Sequence, residues 1–194
     1  MSRLPYLLRD TFNEEQQKLF DRITGGKRGK ERMPETFLSP EGGMKGPFNA
    51  LFYSPVFGEA VQRLGEVVRF ENAMPPPLRE LAILVVAAKW HAQYEWLAHE
   101  KIARKEGLDQ NVIASLKAGT LPDFTHPAEA VVYHFARALI DQQRVSDQHY
   151  AKAVELLGEA GVVELVILLG YYTLVSMSLN VFEVSVPDGE TTPF

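Results

Sequence analysis

Apolar residues recur at helical spacing along most of the chain, and turn-forming residues cut that pattern into segments. Near the N-terminus, Phe12, Leu19, Phe20 and Ile23 make a stripe for one buried face. Thr11 to Glu14 reads as a capping box before it, and Gly25-Gly26 as the stop after it. Next comes ITGGKRGKERMPETFLSPEGGMKGP, rich in Gly, Pro and charge. Loops this long inside a compact domain are usually functional or disordered. Two readings stay open for it: a surface arm, or a lid or wrap onto a neighbouring subunit. Ser54-Pro55 places an N-cap before a proline at the first helical position, which predicts a helix over 55–70.

Pro75 to Pro77 open a central segment that ends near Gly107. Asp109 predicts the cap of a short helix ending at Gly119. Thr125 is expected to cap a helix over 126–142, with Val131, Val132, Phe135, Ala138 and Leu139 as its apolar face. Ser146 is expected to cap a helix ending near Gly158, and a last helix covers 161–184. No convincing run of period-two alternation with turn signals is present. The expected fold is all-α: an N-terminal helix and arm over 1–45, a helical domain over 46–184 and a tail over 185–194.

The central segment carries the candidate chemistry. As one straight helix, 77–106 would be about 45 Å long and would hold Glu80 about 22 Å from Glu95. No Gly or Pro marks a break. The composition nevertheless shifts at Lys89-Trp90, from aliphatic (LAILVVAA) to mixed aromatic and charged. A reversal near 88–91 makes an antiparallel helix hairpin and sets Glu80 opposite His99. Beyond the turn, His91, Glu95 and His99 stand at i, i+4 and i+8 and share one helical face.

Composition narrows what that face can do. The chain has 194 residues and can bury a sizeable core; domains of this size hide roughly 70% of their unfolded surface. A formal charge of -5 gives no basic footprint, so nucleic acid is not an expected partner. The chain has no cysteine, which excludes disulfides, thiolate metal ligands, Fe–S clusters and cysteine nucleophiles, and fits a reducing compartment. MSRLPYLLRDTFNEEQQ lacks the apolar run of a signal peptide. The most apolar stretch, VVELVILLGYYTLVSMSLNVF over 162–182, contains Glu164 and Asn180. Its uninterrupted apolar part is short of the roughly 20 residues a span needs, so it reads as a buried helix. A soluble, cytoplasmic protein without a membrane partner is expected.

A Glu/His pair can supply a proton at neutral pH, since histidine titrates near that range and a carboxylate can hold its orientation. The same pair on a helix is also a common surface or subunit-contact hydrogen bond. A metal is the chemical rival, because His and Glu four apart can ligate one ion. But i to i+8 spans about 12 Å along the axis, too far for one ion to reach both histidines easily. The Glu-x-x-His spacing of di-iron bundles is missing as well. No metal and no cofactor is expected. His126 and His149 read as surface residues at helix starts, and His134 as an interior or interface histidine.

GPFNALFYSPVFGEA, LRELAILVVAAKWHAQYEWLAHEKIARKEGL, VVYHFARALIDQQRVSD and ELLGEAGVVELVILLGYYTLVSMSLNVFEV resemble the carboxymuconolactone decarboxylase family, a relative of the alkyl hydroperoxidase D proteins. The resemblance runs from Gly46 to Val184. It rests most on the spacing of Glu80, Glu95 and His99 with the triplet Tyr94-Glu95-Trp96. It implies an alkyl hydroperoxidase D-like helical bundle, assembled as a trimer or hexamer with active sites near subunit contacts. In the peroxidase branch a Cys-x-x-Cys pair lies between a glutamate and a histidine. Those four positions fall here on Glu80, Ala92, Glu95 and His99, and without thiols the disulfide cycle cannot run. The resemblance is therefore closer to the thiol-free decarboxylase branch. It implies a cofactor-independent lyase of aromatic catabolism that removes carbon dioxide from a small carboxylated lactone or related organic acid. On that reading Glu80, Glu95 and His99 are catalytic: His99 as general acid/base, Glu80 orienting it, Glu95 as a second acid or an acceptor. His91, Tyr94 and Arg79 are candidate substrate contacts. The rival expectations are a hydroperoxide-handling protein and a non-catalytic oligomeric binding module.

Overall fold

Eight α-helices and one 3-10 turn account for the regular structure of the computed structural model, which describes residues 2–27, 29, 37–187 and 189–194. Among these residues there is no β-strand, only an isolated bridge between Leu38 and Met44, so the fold is all-α as expected. The chain forms two compact units: Met1–Asn72 with Ser178–Ser185, and Ala73–Met177 with Val186–Phe194.

In the first unit a 3-10 turn, Arg9–Thr11, precedes α1 (Glu14–Gly25), α2 (Phe48–Phe52) and α3 (Pro55–Phe70). The capping box exists, two residues later than the sequence suggests. Asn13 accepts from the Gln16 N–H at 2.9 Å, and the Gln16 side chain accepts from the Asn13 N–H at 2.8 Å. Thr11 is not available for this role because its hydroxyl donates to the Leu8 carbonyl in the preceding turn. Gly26 ends α1 as expected. Leu19, Phe20 and Ile23 meet Phe37, Met44, Phe48 and Phe52 in one apolar cluster, with the Phe12 ring stacked 4.9 Å from Phe52. The arm expected over 25–46 falls partly outside the described residues. Its described end is no free loop, since Phe37 and Met44 are buried in this cluster. α3 begins at Pro55, but Ser54 makes no side-chain cap bond.

The second unit is built on α4 (Pro76–Trp90), whose residues Leu81 to Ala87 are all buried. A helix apolar on every side must be covered on every side. α4 packs against α5 (Gln93–Lys105), α6 (Gln110–Ala118) and α7 (Pro127–Gln142). Asp109 caps α6 through the Asn111 N–H, and Gly119 closes it at φ +69. α7 starts one residue later than expected, with His126 and not Thr125 at the N-cap and no side-chain cap bond. Pro127 sets that boundary: it occupies the first turn and holds the residue before it extended. Ser146 accepts from the His149 N–H at the start of α8 (Asp147–Val181). Gly158, at φ +71 and ψ +168, breaks α8 where the sequence predicts a stop.

The stretch 162–182 is buried on one side only. Leu165, Leu168, Leu169, Tyr172 and Val175 are covered, whereas Val163, Val166, Ile167, Leu174 and Met177 are exposed. By length and composition alone, α8 is apolar enough to cross a membrane, and 44% of its most apolar window is buried. The expectation of a fully buried helix is thus corrected: the apolar pattern serves two faces, and this chain covers one.

Candidate active site

The reversal that makes the site is local. His91 sits in the left-handed region at φ +46, ψ +41. The Ala92 N–H donates to the Ala87 carbonyl at 2.9 Å, and the His91 N–H to that of Ala88 at 3.2 Å. These two bonds satisfy the last carbonyls of α4 and turn the chain through a Schellman motif. α5 then runs back along α4, as the composition shift predicts. Glu80 and His99 lie on opposite arms of this hairpin, and Glu95 lies one turn from His99 on α5.

All three side chains meet. His99 Nδ1 is 2.6 Å from Glu80 Oε2, and His99 Nε2 is 3.0 Å from Glu95 Oε1. Exposures of 1% for Glu80, 4% for Glu95 and 6% for His99 put the group out of bulk water. A cation in such a place must be paired to be tolerated. Burial pushes His99 towards neutrality, but the Glu80 and Glu95 carboxylates outweigh it and lift its pKa from 6.5 to about 9. His99 is an imidazolium at neutral pH, donating one N–H to each carboxylate. With both ring nitrogens so engaged, it offers no lone pair to a metal. Among the described residues no group of three or more His, Asp or Glu is placed to hold one.

Arg79 extends the line. Its Nε lies 3.7 Å from Glu80 Oε1, with no hydrogen-bond partner, in a side chain only 16% exposed. The charges alternate from Arg79 through Glu80 and His99 to Glu95. The Tyr172 ring of α8 meets His99 edge-to-face at 5.0 Å. Sequence reading missed Tyr172, which is one hydroxyl among several in an apolar run with no spacing that ties it to α5. Tyr94 is half-buried on α5. His91 is exposed in the turn, its ring stacked 5.1 Å from Phe194. The tail was missed too: Gln93 bonds both the N–H and the carbonyl of Phe194, and Trp96 meets the Phe194 ring at 5.1 Å.

Residues 55–138 match the family model described as Carboxymuconolactone decarboxylase family. That segment belongs to this family. It contains Arg79, Glu80, Glu95 and His99 and lies within the alkyl hydroperoxidase D-like superfamily. No curated protein matches the chain. Tyr172 and the tail fall outside the carboxymuconolactone decarboxylase segment, so the ring over His99 comes from a part of the chain that the match does not reach. Within the segment, Ala92 is fully buried behind the turn. The Glu95 carboxylate stands beside His99. A cleft of about 580 Å³ lies elsewhere, between α7 and α8, and none of these residues lines it.

Proposed function

We propose that the protein is a cofactor-independent lyase that decarboxylates a small carboxylated lactone or a related organic acid. The observation that carries this reading is the buried His99 ring held between Glu80 at 2.6 Å and Glu95 at 3.0 Å. Decarboxylation leaves an electron pair on carbon, which a neighbouring carbonyl takes up as an enolate. The protein must then protonate carbon and hold charge in place, both of which side chains can do. Glu80 fixes the imidazolium through the shorter contact. Glu95, 3.0 Å from His99 Nε2, takes a proton from the imidazolium and delivers it to the enolate carbon, which leaves Glu95 a carboxylate and His99 neutral. A solvent proton then restores His99, so one proton is consumed for each carbon dioxide released. Arg79, whose Nε has no acceptor of its own, binds the substrate's anionic group. Tyr94 is a candidate substrate contact by its place next to Glu95 in the chain, and His91 serves the turn.

One observation favours a second reading. The triad is almost wholly covered, and the described 580 Å³ cleft is lined by other residues. Under that reading the triad is a structural ion cluster in a non-catalytic binding module. The hydroperoxide alternative has no such support, because thiol–disulfide cycling needs cysteines that the chain lacks.

Carbon dioxide release from carboxymuconolactone and a panel of related acids, by wild type and Glu95→Gln, separates these readings. The amide of that variant keeps a hydrogen-bonding partner for His99 but cannot carry the proton. The lyase predicts release by wild type and a loss of roughly 100-fold or more in Glu95→Gln, with the helical circular dichroism unchanged. Absence of release by wild type across the panel moves the weight to the binding module. Peroxide turnover with a dithiol reductant would overturn the decarboxylase reading.

A further inference from the structure

The cleft between α7 and α8 gathers unpaired polar groups that the proposed reaction does not use. It holds about 580 Å³, enough for a small organic molecule. His134 reaches it from α7, and His149 and Lys152 from the first turns of α8. Val131 and Leu156 supply apolar wall, and Glu155 is the acidic group among the lining residues. The two imidazoles stack nearly parallel, 5.7 Å apart at 9°. Tyr133 and Phe124 meet the His134 ring from other sides at 5.3 and 6.3 Å and hold its orientation. No carboxylate pairs with His134, His149 or Lys152 among the described residues. Partial burial first, then the His149 ring and the Lys152 ammonium, keep His134 below the usual histidine range. Two imidazoles and an ammonium share the cleft with a single carboxylate, Glu155.

We propose that this cleft is a binding site for a small planar carboxylate, the anion held by Lys152 and the two imidazoles and the flat apolar body lying along Val131 and Leu156. A carboxylate has two acceptor oxygens for these donors, and its charge complements the Lys152 ammonium. The apolar wall sets the preference for a ring over a bare inorganic ion, and Glu155 disfavours multiply charged anions. The site stands apart from the Glu80–His99–Glu95 group and does not depend on what that group does.

The test is a titration of the full chain with sodium benzoate, followed by the NMR signals of the histidine side chains, with benzyl alcohol and inorganic phosphate as comparison probes. The expected result is saturable movement of the His134 and His149 signals with benzoate, the His99 signal staying still. Benzyl alcohol, of similar shape but uncharged, should bind more weakly, and so should phosphate, which is charged but has no ring. Lys152→Ala should weaken benzoate by at least about tenfold, the low end of a charge-assisted hydrogen bond. Lys152 is exposed, so this variant keeps the fold. The proposal is overturned if benzoate leaves both signals unmoved, if phosphate binds as tightly as benzoate, or if Lys152→Ala binds benzoate like wild type.

Discussion

His99 ties the stability of the molecule to pH. Its pKa is near 6.5 in an unfolded chain and about 9 in the native one, so folding favours its proton. The sign follows: the stabilisation is fully present below about 6.5 and is lost as pH rises through about 9. The full span is on the order of 3 kcal/mol. Chemical denaturation across pH 6 to 10 should therefore show falling stability over the upper part of that range. In His99→Gln the fall should be much flatter, and a wild-type midpoint that does not move would contradict the buried imidazolium. His99→Ala asks a different question. It leaves two buried carboxylates facing each other across a void, and removing one member of a buried ionic group costs roughly 3–5 kcal/mol. Lost activity in that variant would report on folding as much as on catalysis, which is why Glu95→Gln is the better probe of the proton step.

At the scale of the element, the hairpin depends on a turn that no glycine or proline announces. His91 takes a left-handed conformation that costs a residue with a Cβ about 1 kcal/mol or more relative to glycine. Its ring recovers some of this by stacking on Phe194. The two effects can be separated. His91→Gly and His91→Ala both lose the ring, but only glycine loses the strain. His91→Gly should therefore be the more stable of the two by about 1 kcal/mol in urea unfolding, and equal stabilities would remove the argument from strain. This element also shows how far the sequence could be read. The meeting of Glu80 with His99 was legible because the composition changes midway between them, and a reversal there is the simplest way to cover an all-apolar α4. The caps were legible to within one or two residues. They slipped where a neighbour claimed the group, as Leu8 claims the Thr11 hydroxyl, or where a proline fixed the boundary, as Pro127 does. Tyr172 and the Phe194 clamp were not legible, since each is a contact made across a long stretch of chain with no periodic signature. The interior reading of His134 does not hold, since the ring is exposed at the α7–α8 cleft of the single chain; a polar residue amid an apolar helical pattern does not reveal which edge of the face it occupies.

For the whole molecule, the face left bare on α8 has the spacing of a helix–helix seam. Val163, Ile167, Gly170, Leu174, Met177 and Val181 are all exposed and follow one another at intervals of four, three, four, three and four residues. That is the 3.5-residue repeat with which one helix meets another, and Gly170 at its middle permits close approach. A lipid-facing surface needs no such register. A row of exposed Val, Ile, Leu and Met along one helix is more than the scattered apolar surface a soluble chain normally shows. A second copy of the chain brings the same row and can pair with it about a two-fold axis, each residue meeting its counterpart's neighbourhood. We therefore expect self-association through this face. Light scattering should give wild type a mass that is a multiple of the 21.8 kDa chain. The double variant Ile167→Asp, Leu174→Asp should fall to the single-chain mass, since two buried carboxylates per copy would have to be desolvated at the seam. Both positions are exposed in the single chain, so its helical content should survive. A single-chain mass for wild type, or binding of wild type but not the variant to neutral phosphatidylcholine vesicles, would assign the face to something other than a second copy.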